Sequence, residues 1–139
     1  MRIVLSLPRH LHNDLLRATG LTASDYKVLM NLSEGADRTL RMADLAIATG
    51  LSASRTTRVV DDLQARGFVT RRTNSNDGRS NLAKLTAKGL TELKSAWPVH
   101  LASVRRRVFD HIDRSAVSRA AQTLSAVADA LEKEDTGRA

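Results

Sequence analysis

The chain contains no cysteine. That excludes disulfides, thiolate metal sites and cysteine-based redox sensing together, and it suits a reducing compartment. It has no apolar run approaching the length of about 20 residues that a membrane span requires. The opening stretch, MRIVLSLPRH, is too short and too soon charged for a signal peptide, so a cytoplasmic protein with no membrane partner is the expectation. No Gly-rich phosphate loop, paired-carboxylate motif or nucleophile–base pair occurs, which argues against an enzyme. Histidine spacing argues against a metal. His100 and His111 are eleven residues apart, on a similar helix face but roughly 16 Å apart along the axis, too far to share an ion. His10 and His12 would point to different faces of a helix. No cofactor is expected, and no internal repeat or low-complexity tract stands out.

What is present is positive charge. The 139 residues make one domain by length, with enough core to fold without staples, and carry a formal net charge of +7. Such a balance favours a polyanionic partner, most often nucleic acid. Its distribution is uneven. Between Ser52 and Lys88 eight basic residues (Arg55, Arg58, Arg66, Arg71, Arg72, Arg79, Lys84, Lys88) face three acidic ones (Asp61, Asp62, Asp77). About a quarter of the chain thus holds +5 of the total.

Hydrophobic spacing predicts a mainly helical protein. Pro8 is expected to start a first helix, with Leu11, Leu15 and Ala18 at helical spacing and Gly20 as its stop. Thr22 and Asp25 resemble a capping box opening a second helix through about Ser33, with Tyr26, Leu29, Met30 and Leu32 inward. TLRM reads as a short strand and MADLAIAT as a short helix closed by Gly50. Ser52 is a good N-cap for a helix from Ala53 to about Arg66, with Gly67 as its stop. FVTRRT and NLAKLT are strand-like runs around an NSNDGRS turn, where Asp-Gly is a strong turn signal. Then Leu90, Leu93, Trp97, Leu101, Val104, Val108 and Ile112 form a nearly heptad seam. Pro98 inside it predicts a kink or break. Ser115 is expected to cap a last helix bearing Val117, Ala121, Leu124, Val127 and Leu131 on one face.

From Met42 to Thr86 this order is short helix, turn, capped helix, strand, turn, strand: a helix-turn-helix with a β-hairpin wing. On the helix from Ala53, Thr56, Val59, Val60 and Leu63 fall on the core side. Ser54, Arg55, Thr57 and Arg58 fall on or near the other side, in the first two turns, where such helices meet base edges. Arginine can pair bidentately with guanine, and Ser or Thr can reach bases or phosphates. An acidic residue in the first turn would suit the helix dipole better than Arg55 does, so this choice points outward. Arg79, at the wing turn, is placed to enter a minor groove, with Asp77 either orienting it or merely stiffening the turn. Arg71 and Arg72 are placed to meet phosphates.

The stretches LTASDYKVLMNL, MADLAIATGLSASRTTRVVDDLQARGFVTRR and NDGRSNLAKLTAKG resemble the MarR (multiple antibiotic resistance regulator) family of bacterial winged-helix transcription factors. The match runs from about Leu21 to Gly89. Its most specific part is the order Leu-x-x-x-Gly-Phe, Arg-Arg, Asp-x-Arg, Leu-Thr-x-x-Gly. The resemblance implies one MarR-like domain over 1–139, with a winged helix-turn-helix lobe at 21–89. It implies a helical dimerisation base from 1–20 and 90–133, and 134–139 is expected to be a flexible tail. It implies a homodimer gripping a pseudo-palindromic operator on double-stranded DNA, as a regulator and more specifically a repressor. Ser52, Ser54, Arg55, Thr57 and Arg58 would belong to the recognition helix, and Arg71, Arg72, Asp77, Arg79 and Ser80 to the wing. Leu11, Leu101, Val104, Val108, Leu124 and Leu131 would serve dimerisation.

Many members of that family release DNA on binding small aromatic compounds. A pocket between base and lobe is therefore a candidate effector site, with His10, His12, Arg17 and Trp97 the first residues to inspect. Two other classes compete with a sequence-reading regulator. A non-specific nucleoid-type DNA binder would share the charge but not a preference for an operator. A protein-interaction winged helix would tolerate loss of Arg55, Arg58 and Arg79.

Overall fold

The computed structural model describes residues 2–73 and 81–136; for residues 2, 4, 73, 131, 132 and 134–136 it describes the backbone alone. The chain divides into two units after Ala102. In the first, α1 (Arg2–Thr19) is followed by α2 (Ala23–Glu34), β1 (Thr39–Arg41), α3 (Met42–Thr49), α4 (Ala53–Ala65), β2 (Val69–Thr73) and β3 (Asn81–Leu85). Helix α5 (Ala87–Arg107) begins in the first unit and ends in the second, which also carries α6 (Val117–Thr136).

The capping box is formed in full: Asp25 N–H donates to Thr22 Oγ1 (3.1 Å) and Thr22 N–H to Asp25 Oδ2 (2.8 Å). Gly50 ends α3 in the left-handed region, at φ +66°. That conformation suits glycine and turns the chain sharply into α4. Ser52 caps α4 by accepting from Arg55 N–H. The three strands form one antiparallel sheet in the order β1-β3-β2, with Leu40 opposite Ala83 and Arg71 opposite Ala83 on the other side. The sheet therefore has one strand more than the expected hairpin.

The core of this unit is aliphatic. Leu21, Val28, Leu29, Leu32, Leu45, Val60 and Leu63 are fully buried, with Tyr26, Phe68, Val69, Ala83 and Leu85 beside them. Thr56 is buried on the core side of α4 because its hydroxyl donates back to the Ser52 carbonyl (3.0 Å), so no polar group is stranded. Thr86 fastens the wing to α5: its hydroxyl donates to the Gly67 carbonyl (2.8 Å) and accepts from Gly89 N–H (3.0 Å).

Four expectations need correction. α1 starts six residues before Pro8, which sits exposed inside it. The carbonyl that Pro8 leaves without a donor can therefore turn to water. α5 runs through Pro98 without a break, again with the proline on an exposed face. The seam stops short, because α5 ends at Arg107 and Val108 leaves helical geometry at φ −124°, ψ −64°. The cap near α6 is Asp113, not Ser115: its carboxylate accepts from both the N–H and the hydroxyl of Ser115 (2.9 Å each), which holds it below the usual carboxylate range. α6 also continues to Thr136, so residues 134–136 of the expected tail are helical.

Candidate nucleic-acid interface

Helix α4 presents the two faces its sequence predicts. Thr56, Val60 and Leu63 are buried and Val59 is partly so, while Ser54, Arg55 and Arg58 are exposed in its first two turns. Thr57 is half-buried and donates to the Ala53 carbonyl (3.0 Å), so its hydroxyl serves the helix backbone. Ser52 is exposed at the cap. Arg55 Nη2 donates across to Ser24 Oγ in the first turn of α2 (3.3 Å). A groove of about 460 Å³ lies there, bounded by His12, Ser24, Asp25, Arg55, Arg58 and Asp62.

Several of the basic residues are already engaged. Arg66 meets Asp25 (3.5 Å), donates to the Gly20 carbonyl and stacks over the Phe68 ring (4.8 Å). Lys88 donates to the Arg66 carbonyl (2.8 Å). Arg71 was expected at phosphates, yet it reaches back to Asp61 of α4 at 2.6 Å. Successive strand residues face opposite ways, and Arg72 is exposed where Arg71 is half-buried. The outward charge of this region, among the described residues, therefore rests on Arg55, Arg58, Arg72 and Lys84. Asp77, Arg79 and Ser80 lie outside the described residues.

The four residues first considered for an effector do not converge. His10 is exposed. His12 Nδ1 accepts from Ala23 N–H (3.2 Å), tying α1 to the start of α2. Arg17 pairs with Asp14 (3.1 Å) and Trp97 is 52% exposed. A second cavity, of about 420 Å³, is apolar and lies between α1, α2 and α5, lined by Leu7, Leu11, Leu15, Tyr26, Met30 and His100 among others. The Tyr26 and His100 rings meet on its wall at 4.7 Å. Burial raises the Tyr26 phenol and lowers the His100 imidazole from their ordinary values. The Tyr26 hydroxyl has no hydrogen-bond partner among the described residues. Sequence spacing could not mark this cavity, since its wall draws on residues from Leu7 to His100. Among the described residues no three His, Asp or Glu side chains come together to hold a metal.

Comparison with known proteins places this architecture. The MarR family model matches residues 19–80. The transcriptional repressor MprA of Escherichia coli is 31% identical over 86 residues, 62% of this chain and 49% of MprA. The chain thus spans about half the length of the curated relatives it matches. Sco3205, a MarR family transcriptional regulator from Streptomyces coelicolor solved in complex with DNA, is 31% identical with a TM-score of 0.84, covering 94% of this chain and 81% of that one. The chain belongs to the MarR family. Another member, CouR from Rhodococcus jostii RHA1, was solved bound to p-coumaroyl-CoA; it is 28% identical with a TM-score of 0.74, covering 91% of this chain and 87% of that one. The family is one of transcriptional regulators, and the residues matched by its model run from the end of α1 through α4 to the wing.

Proposed function

We propose that this MarR-family protein is a sequence-reading DNA-binding transcriptional regulator, a repressor in outcome, that acts as a cytoplasmic homodimer on a pseudo-palindromic operator. One observation carries the reading: the N-terminal face of α4 exposes Ser54, Arg55 and Arg58 while the acidic Asp61 farther along is paired with Arg71. Such a face fits a major groove, with guanidinium groups toward base edges. Sco3205, solved on DNA, shares the architecture. Arg72 and Lys84 suit phosphates, and Asp77, Arg79 and Ser80 extend the wing toward the minor groove. None of the described helices is long and apolar enough to cross a membrane.

Dimerisation is supported by apolar side chains left in water. Trp97 and Leu101 on α5 are each 52% exposed, and Leu124 on α6 is 69% exposed. Pairs spaced three or four residues apart on a helix form a stripe suited to another helix. Leu11, in contrast, lines the apolar cavity. That cavity, rather than the surroundings of His10 and Arg17, is the better seat for a small aromatic effector. It has the size and lining of a ligand site, and the buried Tyr26 hydroxyl offers a hydrogen bond to an acceptor.

Fluorescence anisotropy tests the reading with a duplex from upstream of the protein's own gene and a scrambled duplex of equal length, each at two salt concentrations. A regulator prefers its site by at least about a thousandfold. Arg55→Ala should remove that preference. Equal binding to both, persisting after selection from a random pool, would identify a non-specific DNA coater instead.

A further inference from the structure

Arg55 differs from the other arginines around α4 in what holds it. Arg66 and Arg71 each meet a carboxylate, Asp25 and Asp61, which offsets their charge. Arg55 is held by a neutral hydroxyl, Ser24 Oγ at 3.3 Å, thirty-one residues away in sequence and on another helix. A hydroxyl can accept one N–H of a guanidinium without neutralising it. The group then keeps its full charge, and most of its five donors stay available in a fixed fork.

Ser24 is itself well placed to serve as a fixed point. It sits between Thr22 and Asp25, whose reciprocal bonds lock the first turn of α2. The preceding residue, Ala23, gives its N–H to His12 Nδ1 of α1. Ser24 Oγ therefore belongs to a turn anchored on both sides. Arg55 lies in the first turn of α4, exposed, and makes no other side-chain hydrogen bond among the described residues. A long arginine side chain loses considerable rotamer freedom when it docks on a base, and one held beforehand loses less.

We propose that Ser24 is a positioning residue for DNA reading: it orients the Arg55 guanidinium, so that base discrimination by Arg55 depends on a side chain outside the recognition helix. The inference rests on the reading of α4 as the base-reading helix. It predicts that the first turn of α2 helps set operator preference, although Ser24 itself reads no base.

The test uses the full chain and a fluorescein-labelled duplex bearing the sequence enriched from a random pool, with single-base variants of it. Ser24→Ala, Ser24→Thr, Arg55→Ala and the Ser24→Ala/Arg55→Ala double variant are compared for binding and thermal midpoint. Ser24→Ala should lower discrimination by about 2–10-fold, the range of one hydrogen bond, at the base where Arg55→Ala relaxes it. Its thermal midpoint should match wild type, Ser24→Thr should restore discrimination, and Ser24→Ala should add nothing in the Arg55→Ala background. Tighter binding by Ser24→Ala would show that Ser24 parks Arg55 away from DNA, and would overturn the proposal. So would unchanged discrimination, or an equal loss of affinity in the Arg55→Ala background, which would make Ser24 a direct phosphate contact. If Arg55→Ala relaxes no base preference, the reading of α4 falls with the proposal; if it does and Ser24→Ala does not, the proposal falls alone.

Discussion

Single residues carry two sharp consequences. Gly89 opens the first turn of α5 against the wing, and a Cβ there would collide with the Phe68 carbonyl and crowd Leu85. Neither neighbour can yield easily, because Phe68 and Leu85 belong to the core. Gly89→Ala should therefore destabilise the lobe by about 1–3 kcal/mol, as overpacking does. A urea titration with an unchanged midpoint would contradict this. The second consequence concerns pH. His100 packs against Tyr26, and burial lowers its pKa from the ordinary 6.5. The unfolded chain then takes up this proton before the folded chain does, so unfolding gains as pH falls. The stability tied to a neutral His100 is complete above the unfolded value of 6.5 and is lost as pH drops below it, through the lower folded value. His100→Gln should flatten the fall in thermal midpoint between about pH 7 and about pH 5. An unaltered slope would assign the effect to another group.

Among elements, the wing and the recognition helix are one assembly, because Arg71 of β2 grips Asp61 of α4. The two adjacent wing arginines should therefore behave differently. Arg72→Ala removes an outward charge and should flatten the dependence of log affinity on log salt by about one. Arg71→Ala removes a charge already offset by Asp61, so the salt slope should hardly change, and stability should fall by only about 0.2–1 kcal/mol because the pair is partly exposed. Equal salt slopes for the two variants would show that Arg71 leaves Asp61 to meet DNA. Sequence alone could not separate them. Local signals were legible: the Thr22–Asp25 box, Gly50 and Ser52 fixed where helices begin and end, and the periodicity of Thr56, Val60 and Leu63 showed which side of α4 is buried. Partnerships between distant residues were not, since Arg66–Asp25, Arg71–Asp61 and Arg55–Ser24 each join different elements. Nor was the fate of Pro8 and Pro98, because whether a helix survives a proline depends on which face turns to water.

For the whole molecule, the question is how a short recognition face becomes specific. One α4 exposes only two arginines in its first two turns, Arg55 and Arg58. A good bidentate contact contributes about 1–3 kcal/mol of discrimination. Two such contacts fall short of the discrimination of about 4–10 kcal/mol seen in specific DNA binders. A second copy doubles the contacts and links them, so that the two recognition helices, about 34 Å apart, meet successive major grooves. Dimerisation is then a condition for specificity, and the exposed apolar positions on α5 and α6 are where it should be lost. Leu124 is 69% exposed and Val127 52%. Placing a carboxylate on such a stripe with Leu124→Asp should leave the winged lobe folded, because its core residues lie between Leu15 and Ala96. It should shift the protein toward monomer in sedimentation equilibrium. Operator affinity should fall steeply, while affinity for an isolated half-site falls little. The decisive comparison is between those two duplexes at equal salt. If Leu124→Asp sediments as a monomer yet binds the full operator as well as wild type does, one copy suffices, and discrimination must come from contacts beyond Arg55 and Arg58.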